Sequence, residues 1–293
     1  MSNPVMVASG TFGYGKEYSK LVDINLLGAI VVKGICLEGA PGNQPPRMVE
    51  VFGGLVNAIG LQNPGVDGFV QKHMPFLRKH STPIIVNIWG RTVEEYGLVA
   101  ERFDDIEGVS GLEINISCPN IKQGGNAFGT DPAMAACVVK TVRKATKLPI
   151  IPKLPPNIPD IGGLAKICEE SGANAVSLIN TFPAMVIDIE TRRPVLANKI
   201  GGVSGPVIHP IAVKLVWDVF RAVKIPIVGI GGVTSARDAL EFLIAGASAV
   251  AVGTANFTDP ETAQRVLSGI KEYMVRKKIS SLKELTGSLD TVV

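Results

Sequence analysis

Short aliphatic runs recur along this chain at even intervals, and most are followed by apolar residues at helical spacing. The runs span residues 4–8, 29–33, 84–88, 111–116, 150–153, 175–179, 226–229 and 249–253. Most are nearly continuous in Val, Ile, Leu and Ala rather than alternating with polar residues. Strands of that kind are covered on both faces, as parallel strands are. Helical patterns occupy 93–103, 132–146, 161–171, 211–222, 236–245 and 260–277. Strand and helix in alternation predict an α/β fold with a parallel sheet. Eight repeats favour closure into a (β/α)8 TIM barrel over an open doubly wound sheet. Asp131 before Pro132 and Asp259 before Pro260 read as N-cap and first-turn pairs. Gly172 and Gly246 fall where helices need a C-terminal stop.

Two segments break the rhythm: 34 to about 65, rich in Gly and Pro, and 180–206. Within the second, 186–189 and 194–196 read as a hairpin around Thr191, Arg192 and Arg193. Both insertions follow strands, so both belong on the C-terminal face, where barrel enzymes keep their active sites. No linker divides the chain, and residues 1–293 read as one domain.

The 46% hydrophobic and 19% charged content suits strands buried on both sides. No apolar stretch reaches the roughly 18–20 residues of a membrane span, and Met1-Ser2-Asn3-Pro4 is no signal sequence. The net charge of +3 is small and scattered, which does not indicate nucleic acid. The cysteines Cys36, Cys118, Cys137 and Cys168 form no C-x-x-C pair, so this chain alone offers no iron–sulfur, zinc or disulfide framework. A reducing cytoplasm is the expected setting. Cys137 and Cys168 lie in helical patterns and read as buried structural thiols, whereas Cys36 is open to either reading. His73, His80 and His209 have no ligand-spaced neighbours and read as structural or surface residues.

The residues closing the strands carry the chemistry. Strand by strand they are Ala8-Ser9-Gly10, Lys33, Asn87, Asn115, Lys153, Asn180-Thr181, Gly231-Gly232 and Gly253-Thr254. A barrel brings them to one face. Lysines at the ends of buried strands are costly without a counter-charge, and a phosphate, a carboxylate or an anionic cofactor would supply one. Glycines after the last two strands suit a phosphate held by bare backbone N–H groups, although tight turns alone also demand glycine. The asparagines suit a polar lining for a planar heterocycle, or turn capping. Cys118 lies just past the fourth strand, before the Gly-rich loop 123–129. A thiol there is a candidate for proton transfer or nucleophilic attack.

These residues resemble a known family. Segments 8–15, 57–65, 115–120, 125–131 and 247–257 together are similar to dihydroorotate dehydrogenases, specifically the class 1B catalytic subunit, and the resemblance covers nearly the whole chain. It implies an FMN enzyme that oxidises (S)-dihydroorotate to orotate in pyrimidine biosynthesis. FMN would then touch Ala8, Ser9, Lys33, Gly34, Asn87, Asn115, Lys153, Ile179 and Gly205. Gly231, Gly232, Gly253 and Thr254 would surround its phosphate. Substrate would meet Lys33, Asn57, Ala58, Ile59, Gly60, Leu61, Asn115, Asn120, Asn180 and Thr181, with Cys118 as general base. The resemblance further implies a partner subunit carrying FAD and a 2Fe-2S cluster, electron delivery to NAD, and a heterotetramer of two catalytic and two electron-transfer subunits. The alternatives are a dihydropyrimidine dehydrogenase-like flavoenzyme subunit, a self-sufficient fumarate-linked class 1A homodimer, and a non-catalytic phosphate-ligand binder. Asn120 favours dihydroorotate over the first, whose members usually carry histidine there. Three departures stand out. The chain reaches its first strand almost at once, where relatives carry an N-terminal hairpin under the barrel. Pro155 stands where serine is common, and His209 where lysine is.

Overall fold

The computed structural model describes residues 1–116 and 131–291. Eight parallel strands close a barrel in sequential order: β1 (Val5–Val7), β2 (Ala29–Ile35), β3 (Ile84–Ile88), β4 (Val109–Asn115), β5 (Ile150–Leu154), β6 (Val176–Leu178), β7 (Ile227–Ile230) and β8 (Ala249–Val252). β1 pairs with both β8 and β2, which completes the ring. The expected TIM barrel is the observed fold.

The helices lie outside it: α1 (Gly65–Lys72), α2 (Met74–Leu77), α3 (Val93–Asp104), α4 (Pro132–Ala145), α5 (Ile161–Glu170), α6 (His209–Phe220), α7 (Ala236–Ala245), α8 (Ala255–Thr258), α9 (Thr262–Lys277) and α10 (Leu282–Leu285). Asp131 caps α4 as expected, accepting from the N–H groups of Ala133 and Met134. The pair at 259–260 does not start a helix. α9 begins at Thr262, because Asp259 first closes a local turn by accepting from Glu261 N–H. Gly172 and Gly246 sit at φ +100° and +121°, where an L side chain would be strained.

Period-two alternation divides the core. One set of strand residues packs outward against the helices, as Val86, Ile114 and Val228's neighbour Ile227 do. The other fills the barrel: Met6, Ala29, Val31, Ile85, Val228, Ile230, Ala249 and Ala251. Above this apolar plug the interior turns polar, with Asn87, Glu113, Asn115, Lys153 and Ser177 all buried.

The insertions build a second structure over the C-terminal face. The first folds as a hairpin of Met48–Val51 with Gly54–Asn57. Gly201–Ser204 from the second pairs with Gly54–Asn57, and Phe182–Ala184 adds beside it. One four-stranded antiparallel sheet therefore draws on both insertions. The hairpin read at 186–189 and 194–196 is present but shorter, pairing Ile187–Asp188 with Arg193–Pro194.

Cys168 is buried in α5, as expected, and burial pushes its thiol up to about 12. Cys137 is exposed instead. The buried stripe of α4 is Ala135, Val138, Val139 and Val142, and position 137 falls off it. Cys36 is buried beside Asn63. No described helix is long and apolar enough to cross a membrane.

Candidate active site

A cavity of about 430 Å³ opens at the C-terminal end of the barrel beneath the insertion sheet. That volume is in the range of small-molecule sites. Of the residues expected there, Ala8, Ser9, Lys33, Gly34, Asn57, Ile59, Gly60, Leu61, Asn87, Asn115, Lys153, Ile179, Asn180, Thr181, Gly205, Gly231, Gly232, Gly253 and Thr254 all line it. Ala58 does not; it packs with Val56 and Leu196 in a small cluster on the face of the sheet turned away from the cavity. Cys118 and Asn120 lie outside the described residues.

Local structure explains each placement. β2 runs two residues past its expected end, and its ladder with β3 is irregular between Val32 and Ile35. Lys33 and Gly34 sit in that irregularity, which re-aims side chains out of the regular pleat. A Cβ on Gly34 would meet Asn87 Oδ1 at 2.8 Å, so glycine is what lets the asparagine approach. Asn115 is held from two sides: Tyr96 Oη donates to its carbonyl at 2.7 Å, and Asn180 Nδ2 donates to its Oδ1 at 3.2 Å. The turn 57–61 is shaped by Asn43, whose N–H donates to Ile59 O and whose Nδ2 donates to Ala58 O.

The far end is walled by backbone. Gly231 and Gly232 adopt φ +140° and +66°, conformations that favour glycine, so the turn reading of these glycines applies. Gly253 differs: a Cβ there would meet only Ala8 Cβ, at 3.7 Å. No neighbouring atom forbids a side chain at 253, yet none is present, and the cavity keeps that space. Thr254 Oγ1 donates to Ser204 Oγ at 2.9 Å, tying β8 to the insertion sheet.

Electrostatically the lining is one-sided. Among the described residues it carries the cationic side chains Lys33, Arg47 and Lys153, and no carboxylate. Burial pushes the Lys33 ammonium below the ordinary lysine range, the Arg47 charge pushes the same way, and Glu17 opposes both. Arg47 is anchored by donating to Gln62 Oε1 and Asn43 O.

Lys153 corrects an expectation. Its counter-charge comes from within the chain: Glu113 Oε2 lies 3.8 Å from its Nζ. Glu113 also accepts from Asn87 Nδ2 at 2.6 Å and from Ser177 Oγ at 2.8 Å. β4 and β6 are separated by β5, so the Glu113–Ser177 bond closes only across the barrel interior. The sequence held a signal for this carboxylate. Position 113 is a lone charge in an aliphatic strand, two residues from Asn115 and therefore on the same face. His209, expected to be a structural or a surface residue, is buried, and it also grips the glycine wall. Its Nδ1 lies 2.8 Å from Gly231 O and its Nε2 3.1 Å from Glu241 Oε2.

A family model described as dihydroorotate dehydrogenase matches residues 1–274. Similar curated proteins carry the name dihydroorotate dehydrogenase B (NAD(+)), catalytic subunit. That of Geotalea daltonii is 55% identical over 289 residues. Those of Citrifermentans bemidjiense and Geobacter metallireducens are 54% identical over 290 and 289 residues. In each case the alignment spans 99% of this chain and 95% of the relative.

Proposed function

The chain belongs to the dihydroorotate dehydrogenase family, and on that premise we propose that it is the catalytic subunit of an NAD-linked enzyme that oxidises (S)-dihydroorotate to orotate at a bound FMN. The observation that carries this reading is the cationic cavity, with no carboxylate among the described residues that line it and a bare glycine wall at Gly253. The donor set fits a flavin mononucleotide. Gly231, Gly232, Gly253 and Thr254 would hold its phosphate, and Ala8, Ser9, Lys33, Gly34, Asn87, Asn115, Lys153, Ile179 and Gly205 its ring and ribityl chain. When bound, FMN supplies a two-electron hydride acceptor, chemistry that no side chain provides.

The protein's own residues do the rest. Oxidation removes two hydrogens from adjacent carbons, one as hydride and one as a proton. Cys118 takes the proton as general base. Lys33 binds the substrate carboxylate, and Asn57, Asn115, Asn120, Asn180 and Thr181 hydrogen-bond its amide edges. Lys153, its charge offset by Glu113, would present N–H donors to negative charge on the flavin. The insertion sheet covers the reacting face and limits water.

A partner subunit bearing FAD and a 2Fe-2S cluster, in a heterotetramer of two catalytic and two electron-transfer chains, would supply the route for electrons to NAD. The names of the relatives support this over the fumarate-linked homodimer. The test is anaerobic titration of the yellow protein with dihydroorotate. The flavin absorbance is expected to bleach stoichiometrically, and re-oxidation by NAD is expected only once the partner is added. Full turnover of the isolated chain with fumarate would favour the homodimer; a colourless protein that takes up no FMN would sink the whole reading. Cys118→Ala is expected to keep FMN and orotate binding while slowing bleaching by about 10²–10⁴-fold, the usual worth of a positioned base. Bleaching at the wild-type rate in rapid mixing would remove Cys118 from that role.

A further inference from the structure

We propose that Glu113 is a positioning residue that acts through Lys153 and Asn87 to limit how strongly the cavity stabilises negative charge. The inference rests on the FMN reading above and goes beyond it, because Glu113 is not among the residues lining the cavity.

Three observations carry it. Glu113 is 2% exposed and lies below the cavity floor, so it acts on a ligand only through other groups. Two of its three partners, Asn87 and Lys153, do line the cavity; the third, Ser177, anchors it from across the barrel. The Lys153 contact, at 3.8 Å, is an ion pair too long for a hydrogen bond. Glu113 therefore offsets the lysine's charge while leaving its N–H donors to the cavity. At Asn87 the carboxylate fixes amide polarity. With Nδ2 donating to Glu113 at 2.6 Å, Oδ1 is left toward Gly34 and the cavity, where it accepts from a ligand N–H.

Charge decides the functional consequence. Lys153 and Glu113 together contribute no net charge to the floor, so an anion forming above them feels a dipole rather than a full cation. Replacing the carboxylate by an amide of the same shape exposes the whole lysine charge, and in a low-dielectric interior that difference is large. Glu113→Gln is expected to bind anions in the cavity more tightly and to move the flavin's midpoint potential upward.

Sulfite is the probe. It donates its electron pair to an oxidised flavin, leaves the ring negatively charged and bleaches its visible absorbance. At pH 7, flavin-loaded Glu113→Gln is expected to bind sulfite at least about tenfold more tightly than wild type. Glu113→Asp keeps the charge and is expected to stay within about threefold of wild type. Sulfite affinity that is unchanged or weaker in Glu113→Gln overturns the proposal, as does an Asp variant that moves as far as the Gln variant. Loss of flavin from both variants also overturns it, by making Glu113 a purely structural residue. A wild-type protein that takes up no FMN would instead defeat the underlying reading, so the two failures are distinguishable.

Discussion

Lys33 shows how one side chain's surroundings set a measurable property. Burial and the Arg47 charge both hold its ammonium below the ordinary lysine range. The sign follows directly. As pH rises, its charge is lost earlier than that of an exposed lysine. Orotate affinity is therefore expected to fall on an alkaline limb below the usual lysine range, and Arg47→Gln is expected to shift that limb to higher pH. Fluorescence titration of orotate from pH 7 to 10.5 measures it; a limb that ignores the Arg47 substitution would exclude that coupling. Lys33, Asn87, Asn115 and Lys153 were legible in sequence because each is a polar residue at or near the end of an aliphatic run. The partner of Lys153 was harder to see. A lone glutamate inside a strand does not say which lysine it faces, and the answer depends on the register in which β4 pairs with β5. Cys137 misleads for the opposite reason: it lies within a helical pattern but off the stripe that carries the buried aliphatic residues.

At the scale of elements, the turns after β7 and β8 look alike in sequence and differ in what they permit. A Cβ at 232 would press on His209 Cβ at 2.7 Å and on Gly205 O at 2.9 Å, and the backbone there is left-handed. A substitution at 232 therefore disturbs the fold and the site together. Position 253 separates the two effects, since a side chain there meets open cavity. Gly253→Val is expected to unfold within a few degrees of wild type as apoprotein while losing FMN affinity by at least about tenfold. Thermal unfolding and flavin fluorescence check the two halves. A variant that retains FMN normally would move the phosphate away from Gly253. The barrel strands were readable one at a time because burial on both faces makes each a continuous apolar run. The insertion sheet was not. Its strands are short, and the pairing of 54–57 with 201–204 leaves no local signature.

For the molecule as a whole, stability on the alkaline side draws on thiols sealed in the core. Cys168 is held neutral up to about 12 by burial in α5, against an ordinary value near 9.0. A pKa raised on folding stabilises the native state fully below the unfolded value and loses that contribution as pH climbs toward the folded one. Wild type is thus expected to lose stability between about pH 9 and 12. Cys168→Ala starts lower, by roughly 1–2 kcal/mol for the small cavity, and is expected to close the gap as pH rises. Urea midpoints at pH 8 and pH 11 for both proteins give the comparison; a constant gap would mean that the thiol does not titrate on unfolding. The covering sheet has its own consequence at this scale. Asn57 Nδ2 donates to Gly202 O across 145 residues of chain, and the backbone ladder beside it binds the two insertions edge to edge. Barrel loops are commonly treated as exchangeable modules, each free to vary on its own strand. Here two of them share one hydrogen-bonded fabric, so a graft from another barrel is expected to succeed only when both are transplanted together.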